Sequence, residues 1–169
     1  MDMTALTWKK AGADDLEILA ETRIQVLRAA NKLPDDTDMS EVAASSKEYY
    51  QKALADGSHT AFLVFDGDTF VGAGGISYYT VMPTYHNPSG RKAYVMNMYT
   101  HPDYRRRGIA IKTLDLLVCD AVSRGITEIT LEATEMGRRL YEKYGFTGME
   151  SEMELKAEKL RAFENRDAH

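Results

Sequence analysis

Residues 105–110, Arg-Arg-Arg-Gly-Ile-Ala, stand where an extended apolar run, Tyr94 to Thr100, passes through His101-Pro102 into an amphipathic helix. Amides in the first turn of a helix have no intrahelical acceptor, and the summed peptide dipoles leave partial positive charge there. Guanidinium groups reinforce that preference, and Gly108 removes the Cβ where a ligand and the helix start must come close. The chemistry this combination serves is anion capture, and a pyrophosphate would satisfy it well. The turn lacks both the GxGxxG dinucleotide pattern and the Lys-Ser/Thr ending of a P-loop. Three consecutive arginines also read as a solvated face, so the turn alone does not name its anion.

The elements that must position this turn follow from periodicity. Residues 4–10 predict a short strand with Leu6 and Trp8 on one side. Asp14 and Glu17 resemble a capping box that opens a helix over 14–30. Leu16, Ala20, Arg23 and Leu27 share a face of it, widened by Leu19 and Ile24, and Pro34 stops it. A second helix over 39–55 offers Val42, Tyr49, Ala53 and Leu54 to the core and ends at Gly57. Between the two helices Asp35, Asp36 and Asp38 read either as loop residues that cap the second helix or as a rim attracting a cationic acceptor.

Thr60–Phe65 and Thr69–Tyr79 predict a hairpin around Asp66-Gly67-Asp68. Gly72, Gly74 and Gly75 weaken the second strand and signal a bulge or a close approach of another segment. A loop over 81–91 follows; Tyr78, Tyr79, Tyr85 and His86 could wall a substrate or cover the core edge. The strand at 92–100 leads into the basic turn. The helix Ile109–Arg124 has Ala110, Ile111, Leu114, Leu117, Val118, Ala121 and Val122 on one broad face and ends at Gly125. A strand at 128–132, a helix at 135–144 capped by Thr134, a final strand at 149–157 and a polar segment from Glu158 complete the chain. Strand, crossover helix, strand implies a parallel pair.

At 169 residues the chain fits one domain. Its net charge of -5 lacks the basic surplus of a general nucleic-acid binder. Cys119 is the only cysteine, so no internal disulfide forms, and a cytoplasmic protein is the simplest expectation. It lies mid-helix with no His partner, which makes it a structural thiol. No signal-like or membrane-spanning apolar run and no zinc-ligand spacing is present, so neither a membrane nor a metal is expected.

Tyr99 to Ala110, YTHPDYRRRGIA, resembles the acyl-CoA signature of the GNAT (GCN5-related N-acetyltransferase) superfamily, through Arg105, Gly108 and Ala110 after a strand and a proline. Ala133 to Phe146, ATEMGRRLYEKYGF, resembles the family's later helix and strand. The resemblance implies an α/β fold: a GNAT-like acyl-CoA N-acyltransferase, a mixed mainly antiparallel sheet with a splayed central parallel strand pair flanked by helices. One domain is expected over 1–157, with a polar tail at 158–169.

The same resemblance implies acetyl-CoA as donor. Met98, Tyr99 and Thr100 would meet its pantetheine arm, and Arg105, Arg106, Arg107, Gly108, Ile109 and Ala110 its pyrophosphate. Thr134, Gly137, Arg138 and Tyr141 would lie near its far side. The Met98 amide would stabilise charge developing on the carbonyl oxygen, and Tyr141 would donate to the departing thiolate. Tyr144, three residues on, reads better as core packing. Glu132 is the candidate base; the His101 imidazole is set aside because it stands in the turn facing solvent. Asn97 would orient substrate or satisfy backbone, and with Asp35, Tyr78, Tyr79 and Tyr85 forms the expected acceptor side. The expected activity is acetyl transfer to a primary amine of a small molecule, by direct attack in a ternary complex. Alternatives are a protein or peptide N-terminal acetyltransferase and a non-catalytic acyl-CoA sensor. A homodimer is one assembly such a chain could form.

Overall fold

A computed structural model describes residues 5–164 and 166. Thr4, the expected first residue of the opening strand, and part of the polar tail lie outside the described residues. The chain divides into two compact units, Met1–Glu132 and Ala133–His169.

The first unit is built on five strands: β1 (Leu6–Lys10), β2 (His59–Asp66), β3 (Thr69–Thr80), β4 (Arg91–Thr100) and β5 (Ile129–Leu131). They lie in the order β1-β2-β3-β4-β5. The first three pairings are antiparallel, and β4 with β5 is parallel. The sheet is thus mixed and mainly antiparallel, as expected. Helices α1 (Leu16–Asn31), α2 (Ser40–Asp56) and α3 (Ile109–Ser123) complete the unit.

Local chemistry explains most boundaries. Gly67 at φ 58 supplies the left-handed residue of the β2–β3 hairpin. Lys32 and Gly57 cap α1 and α2 in the left-handed conformation. The α1 entrance differs from expectation. A 3-10 turn, Ala13–Asp15, precedes the helix, and it is Asp15, not Asp14, whose carboxylate accepts the Gly12 amide at 2.8 Å. The expected α2 contact Tyr49 is 42% exposed, whereas its neighbour Tyr50 is buried. A one-residue rotation of the predicted face sends Tyr50 into the core with Leu19, Ala61, Leu63 and Ala73.

The glycines of β3 mark a close helix approach. A Cβ on Gly74 would stand 2.5 Å from Thr113 Cγ2, 2.8 Å from Met98 Sδ and 3.1 Å from Leu117 Cδ1. One on Gly72 would stand 2.9 Å from Ile109 Cγ2. The buried stripe of α3 is Ile109, Thr113, Leu114, Leu117 and Ala121, while Ile111 and Val122 are exposed. Thr113 is tolerated inside because its hydroxyl donates to Ile109 O at 2.8 Å and accepts from Trp8 Nε1 at 3.0 Å.

The second unit contains α4 (Glu135–Tyr144) and α5 (Ala157–Glu164). Thr134 caps α4 as expected, its hydroxyl accepting from the Gly137 amide at 3.1 Å. The expected strand at 149–157 is absent, and Met149, Met153 and Leu155 are exposed. Alternation was present, but the segment interleaves them with Glu150, Glu152 and Glu154 and contains no β-branched residue, so its intrinsic strand preference is weak.

Gly74→Ala should destabilise the protein by about 1–3 kcal/mol, because the added carbon meets packed side chains. Gly12→Ala, where nothing lies within 4 Å, should change stability by less than about 0.5 kcal/mol. Urea unfolding of both variants checks the contrast.

Candidate active site

Strand β4 breaks its register where chemistry was expected. Ala73 pairs with Tyr99 and Gly75 with Met96, so Asn97 and Met98 together oppose Gly74. This is a β-bulge, and Asn97 stands at φ 59, a conformation Asn adopts more readily than most residues. The Asn97 side chain accepts from Arg23 Nη1 of α1 at 2.9 Å, which holds the bulge from the helix side. Met98 packs against Gly74.

The other edge of β4 is paired only at its start. Ala93, Tyr94 and Val95 face Ile129, Thr130 and Leu131. Beyond Val95 no strand among the described residues pairs with that edge, although β4 continues to Thr100. An unpaired strand edge presents amides and carbonyls to any extended ligand. At its end the Thr100 hydroxyl is buried without a hydrogen-bond partner among the described residues. Tyr99 instead stacks its ring on Phe70, with centroids 5.8 Å apart.

The basic turn is braced against the β2–β3 hairpin. The His101 amide donates to Val71 O at 2.8 Å, and Tyr104 Oη donates to Asp66 Oδ2 at 2.6 Å. His101 Nδ1 accepts the Asp103 amide, so this imidazole caps the turn. Arg107 lies over the Tyr104 ring at 4.7 Å, whereas Arg105 and Arg106 are exposed. Arg106 (φ 63) and Gly108 (φ 79) are both left-handed. Gly108 is the N-cap of α3 and offers no side chain to the first-turn amides of Ile109 and Ala110. Left-handed residues preceding an uncapped helix form an anion-binding concavity. The Ile109 side chain itself is buried in the core.

A cavity of about 410 Å³ opens between α1, α2 and strands β2, β3 and β4, with Asn97 and Met96 in its wall. Tyr78 and Tyr79 line it. The Tyr78 hydroxyl, however, is committed to Asp120 of α3, and Arg124 lies over its ring at 4.1 Å. Burial and the Asp120 carboxylate push the Tyr78 hydroxyl far above its usual range. Tyr85 is 93% exposed against His86 and does not line the cavity; neither does Asp35. Asp38 caps α2, accepting the Ser40 amide at 2.9 Å.

Sequence reasoning placed only Tyr78, Tyr79 and Asn97 of the lining on the acceptor side, and missed Arg23 and the hydrogen-bonded group His59, Tyr49 and Ser77. His59 Nδ1 lies 2.9 Å from Tyr49 Oη and 3.1 Å from Ser77 Oγ, and those two oxygens are 2.7 Å apart. Burial, and secondarily the Arg23 charge, lower the His59 imidazole to about 4, so it is neutral at physiological pH. His59 Nε2 is buried and unpartnered among the described residues. Gly75 makes room for this ring: a Cβ there would stand 2.8 Å from Nε2. The one available signal was Arg23, a charge on the apolar stripe of α1.

Glu132 is exposed just after β5, and Cys119 is exposed on α3. Within the second unit, Tyr141 is half-buried and meets the Phe146 ring edge-on at 6.1 Å. Burial raises its hydroxyl above the usual phenol range, so it stays protonated. A Cβ on Gly137 would stand 3.0 Å from the Tyr141 ring, so Gly137 permits that ring position. Tyr144 is half-buried beside Phe146, and Arg138 pairs with Glu142 at 3.4 Å.

Residues 27–146 match the Acetyltransferase (GNAT) family. The chain belongs to the GNAT acetyltransferase family. A protein from Clostridium acetobutylicum described as a predicted acetyltransferase, solved with acetyl-CoA, is 31% identical over 89% of this chain and 96% of its own, with a TM-score of 0.80. A GCN5-related N-acetyltransferase from Ralstonia eutropha JMP134 is 26% identical, covering 90% and 99%, with a TM-score of 0.73. An aminoglycoside acetyltransferase from an uncultured soil metagenomic sample shares the fold at 16% identity, covering 91% and 96%, with a TM-score of 0.69. No curated protein matches the chain. Among the described residues of this GNAT acetyltransferase, no helix is long and apolar enough to cross a membrane.

The depressed His59 value predicts an acid-labile fold. Between pH 6.5 and about 4 the unfolded chain takes up a proton that the folded chain refuses, so stability is lost as pH falls through this window. From pH 7 to pH 5 the wild type should lose about 2 kcal/mol more than His59→Gln, by urea unfolding. Equal losses would contradict a neutral buried imidazole.

Proposed function

We propose that this protein transfers the acetyl group of acetyl-CoA to the primary amine of a small molecule by direct attack in a ternary complex. The observation that carries this reading is the Asn97–Met98 bulge beside an unpaired strand edge, in a chain of an acetyltransferase family. Acetyl-CoA supplies the activated acyl thioester.

The chain's residues fit such a donor. The free edge of β4 offers the Met98, Tyr99 and Thr100 backbone to an extended amide-bearing arm, and the orphaned Thr100 hydroxyl offers one further contact. Amides of Arg106 to Ala110, supported by Arg105 and Arg107, suit a pyrophosphate. Thr134, Gly137 and Arg138 are assigned to donor binding through the family resemblance.

The amine enters the cavity whose wall includes Asn97, with Tyr78 and Tyr79 shaping it. It must be neutral to attack, and Glu132 is assigned to accept its proton through water. The Met98 amide donates to the carbonyl oxygen as negative charge grows there, and such preorganised donors stabilise transition states strongly. The Tyr141 hydroxyl donates to the departing sulfur. A buried phenol is a weaker acid than a thiol, so its role is a hydrogen bond that strengthens as charge accumulates. A cytoplasmic setting fits a chain with one free cysteine.

An amine-panel assay with acetyl-CoA, reading free thiol and acetylated product mass together, tests the activity. Transfer to a small amine is expected; tight acetyl-CoA binding with no transfer would instead indicate a sensor. Tyr141→Phe should lower kcat by about 10²-fold with acetyl-CoA affinity retained. Unchanged kcat under conditions where chemistry limits would remove Tyr141 from the mechanism. Gly108→Glu should weaken CoA binding at least about tenfold by calorimetry, through bulk and charge repulsion; unchanged affinity in the folded variant would defeat the pyrophosphate assignment.

A further inference from the structure

The cavity carries one formal charge, and it is positive. Among its lining residues Arg23 is the one that carries a formal charge at neutral pH. The others are hydroxyls and neutral polar or apolar groups: Ser45, Ser46, Ser77, Asn97 and the tyrosines among them. His59 adds no charge, being held neutral by burial. Asp35 and its neighbours, the expected attraction for a cation, lie outside the lining. Asp56, whose charge reaches Tyr49, also lies outside it and accepts the Ser58 amide at 2.8 Å.

Arg23 is half-buried and, among the described residues, forms no ion pair with a carboxylate. Its Nη1 donates to the neutral Asn97 Oδ1 at 2.9 Å. A guanidinium has five donors in a planar fork, so that single bond leaves most of its capacity available. A bidentate oxyanion is the partner that matches this fork. Asn97 also fixes the position of Arg23 next to the bulge, so an anion on Arg23 would be anchored close to where the amine must react.

We propose that the acceptor is an amine that also bears a carboxylate, seated on Arg23 with its uncharged body against the Ser77, Tyr49 and Tyr79 side of the cavity. This deepens the acetyltransferase reading above and rests on it for the identity of the cavity as the acceptor pocket. Polyamines and other polycations are disfavoured, because Arg23 repels them and no lining carboxylate compensates.

The test uses the full chain saturated with acetyl-CoA. Probes are the common amino acids against their carboxamides, together with 2-aminoethyl phosphate and spermidine. Calorimetric affinity and acetylated product are read for the wild type, Arg23→Gln and Arg23→Lys. At least one amino acid should bind about tenfold or more tightly than its carboxamide. Arg23→Gln should erase that ratio by weakening the acid alone, and Arg23→Lys should retain part of it, having the charge without the fork. Should Arg23→Gln not fold, the acid-to-amide ratio of the wild type and Arg23→Lys still decides. Equal affinity for acids and amides, binding of no amino acid, or preference for spermidine overturns the proposal. Preference for 2-aminoethyl phosphate over every amino acid also overturns the carboxylate assignment. Arg23-dependent binding of a carboxylate without any acetyl product supports the anion seat and refutes the transferase reading. Acetylation indifferent to charge and to Arg23 does the reverse.

Discussion

Strand β4 has to do two things that a regular strand cannot do together. It must hold the sheet through β3, and it must turn part of its backbone away from the ladder. The bulge at Asn97 resolves this, because two residues face Gly74 and Asn97 takes a left-handed conformation. A left-handed residue other than glycine costs about 1 kcal/mol or more and persists where its surroundings determine it. Here the surroundings are Arg23, bonded to the Asn97 side chain, and α3, packed so closely on β3 that Gly74 has no room for a Cβ. Gly74 therefore serves the sheet and the bulge at once. The parting of β4 from β5 beyond Val95 and the uncapped start of α3 extend the same polar edge toward the basic turn.

On the opposite side, the cavity is polar without being acidic. Tyr49 Oη, His59 Nδ1 and Ser77 Oγ form one hydrogen-bonded triangle, while His59 Nε2 has no partner among the described residues. Burial makes His59 a poor base, which leaves it suited to fixing the orientation of Tyr49 and Ser77. Arg23 joins the two regions, since one guanidinium nitrogen supports the bulge and the group as a whole lines the cavity.

Much of this was legible in the sequence because local chemistry dictated it. Gly72, Gly74 and Gly75 announced a bulge or close approach, and both occur. Gly57, Gly67, Gly125 and Thr134 ended or began their elements where their conformational and capping preferences placed them. The basic turn was visible from Arg105, Gly108 and the helix that follows. What was hidden depended on tertiary packing. Tyr49 and Tyr50 differ by one position on a weakly amphipathic helix, and only the sheet beneath selects which is buried. His59 begins a strand and carries no motif; its environment comes from α2, β3 and burial. Alternation over 149–157 imitated a strand although nothing in its composition favoured one. The acidic loop drew attention by charge, yet Asp38 caps α2 and Asp35 stands away from the cavity.

Amide hydrogen exchange with and without acetyl-CoA tests most directly whether the broken edge of β4 and the basic turn hold the donor. Protection should appear over 96–111, centred on Met98–Thr100 and Arg106–Ala110, as free amides gain acceptors. Binding that protects other segments and leaves 96–111 unchanged would contradict the central claim.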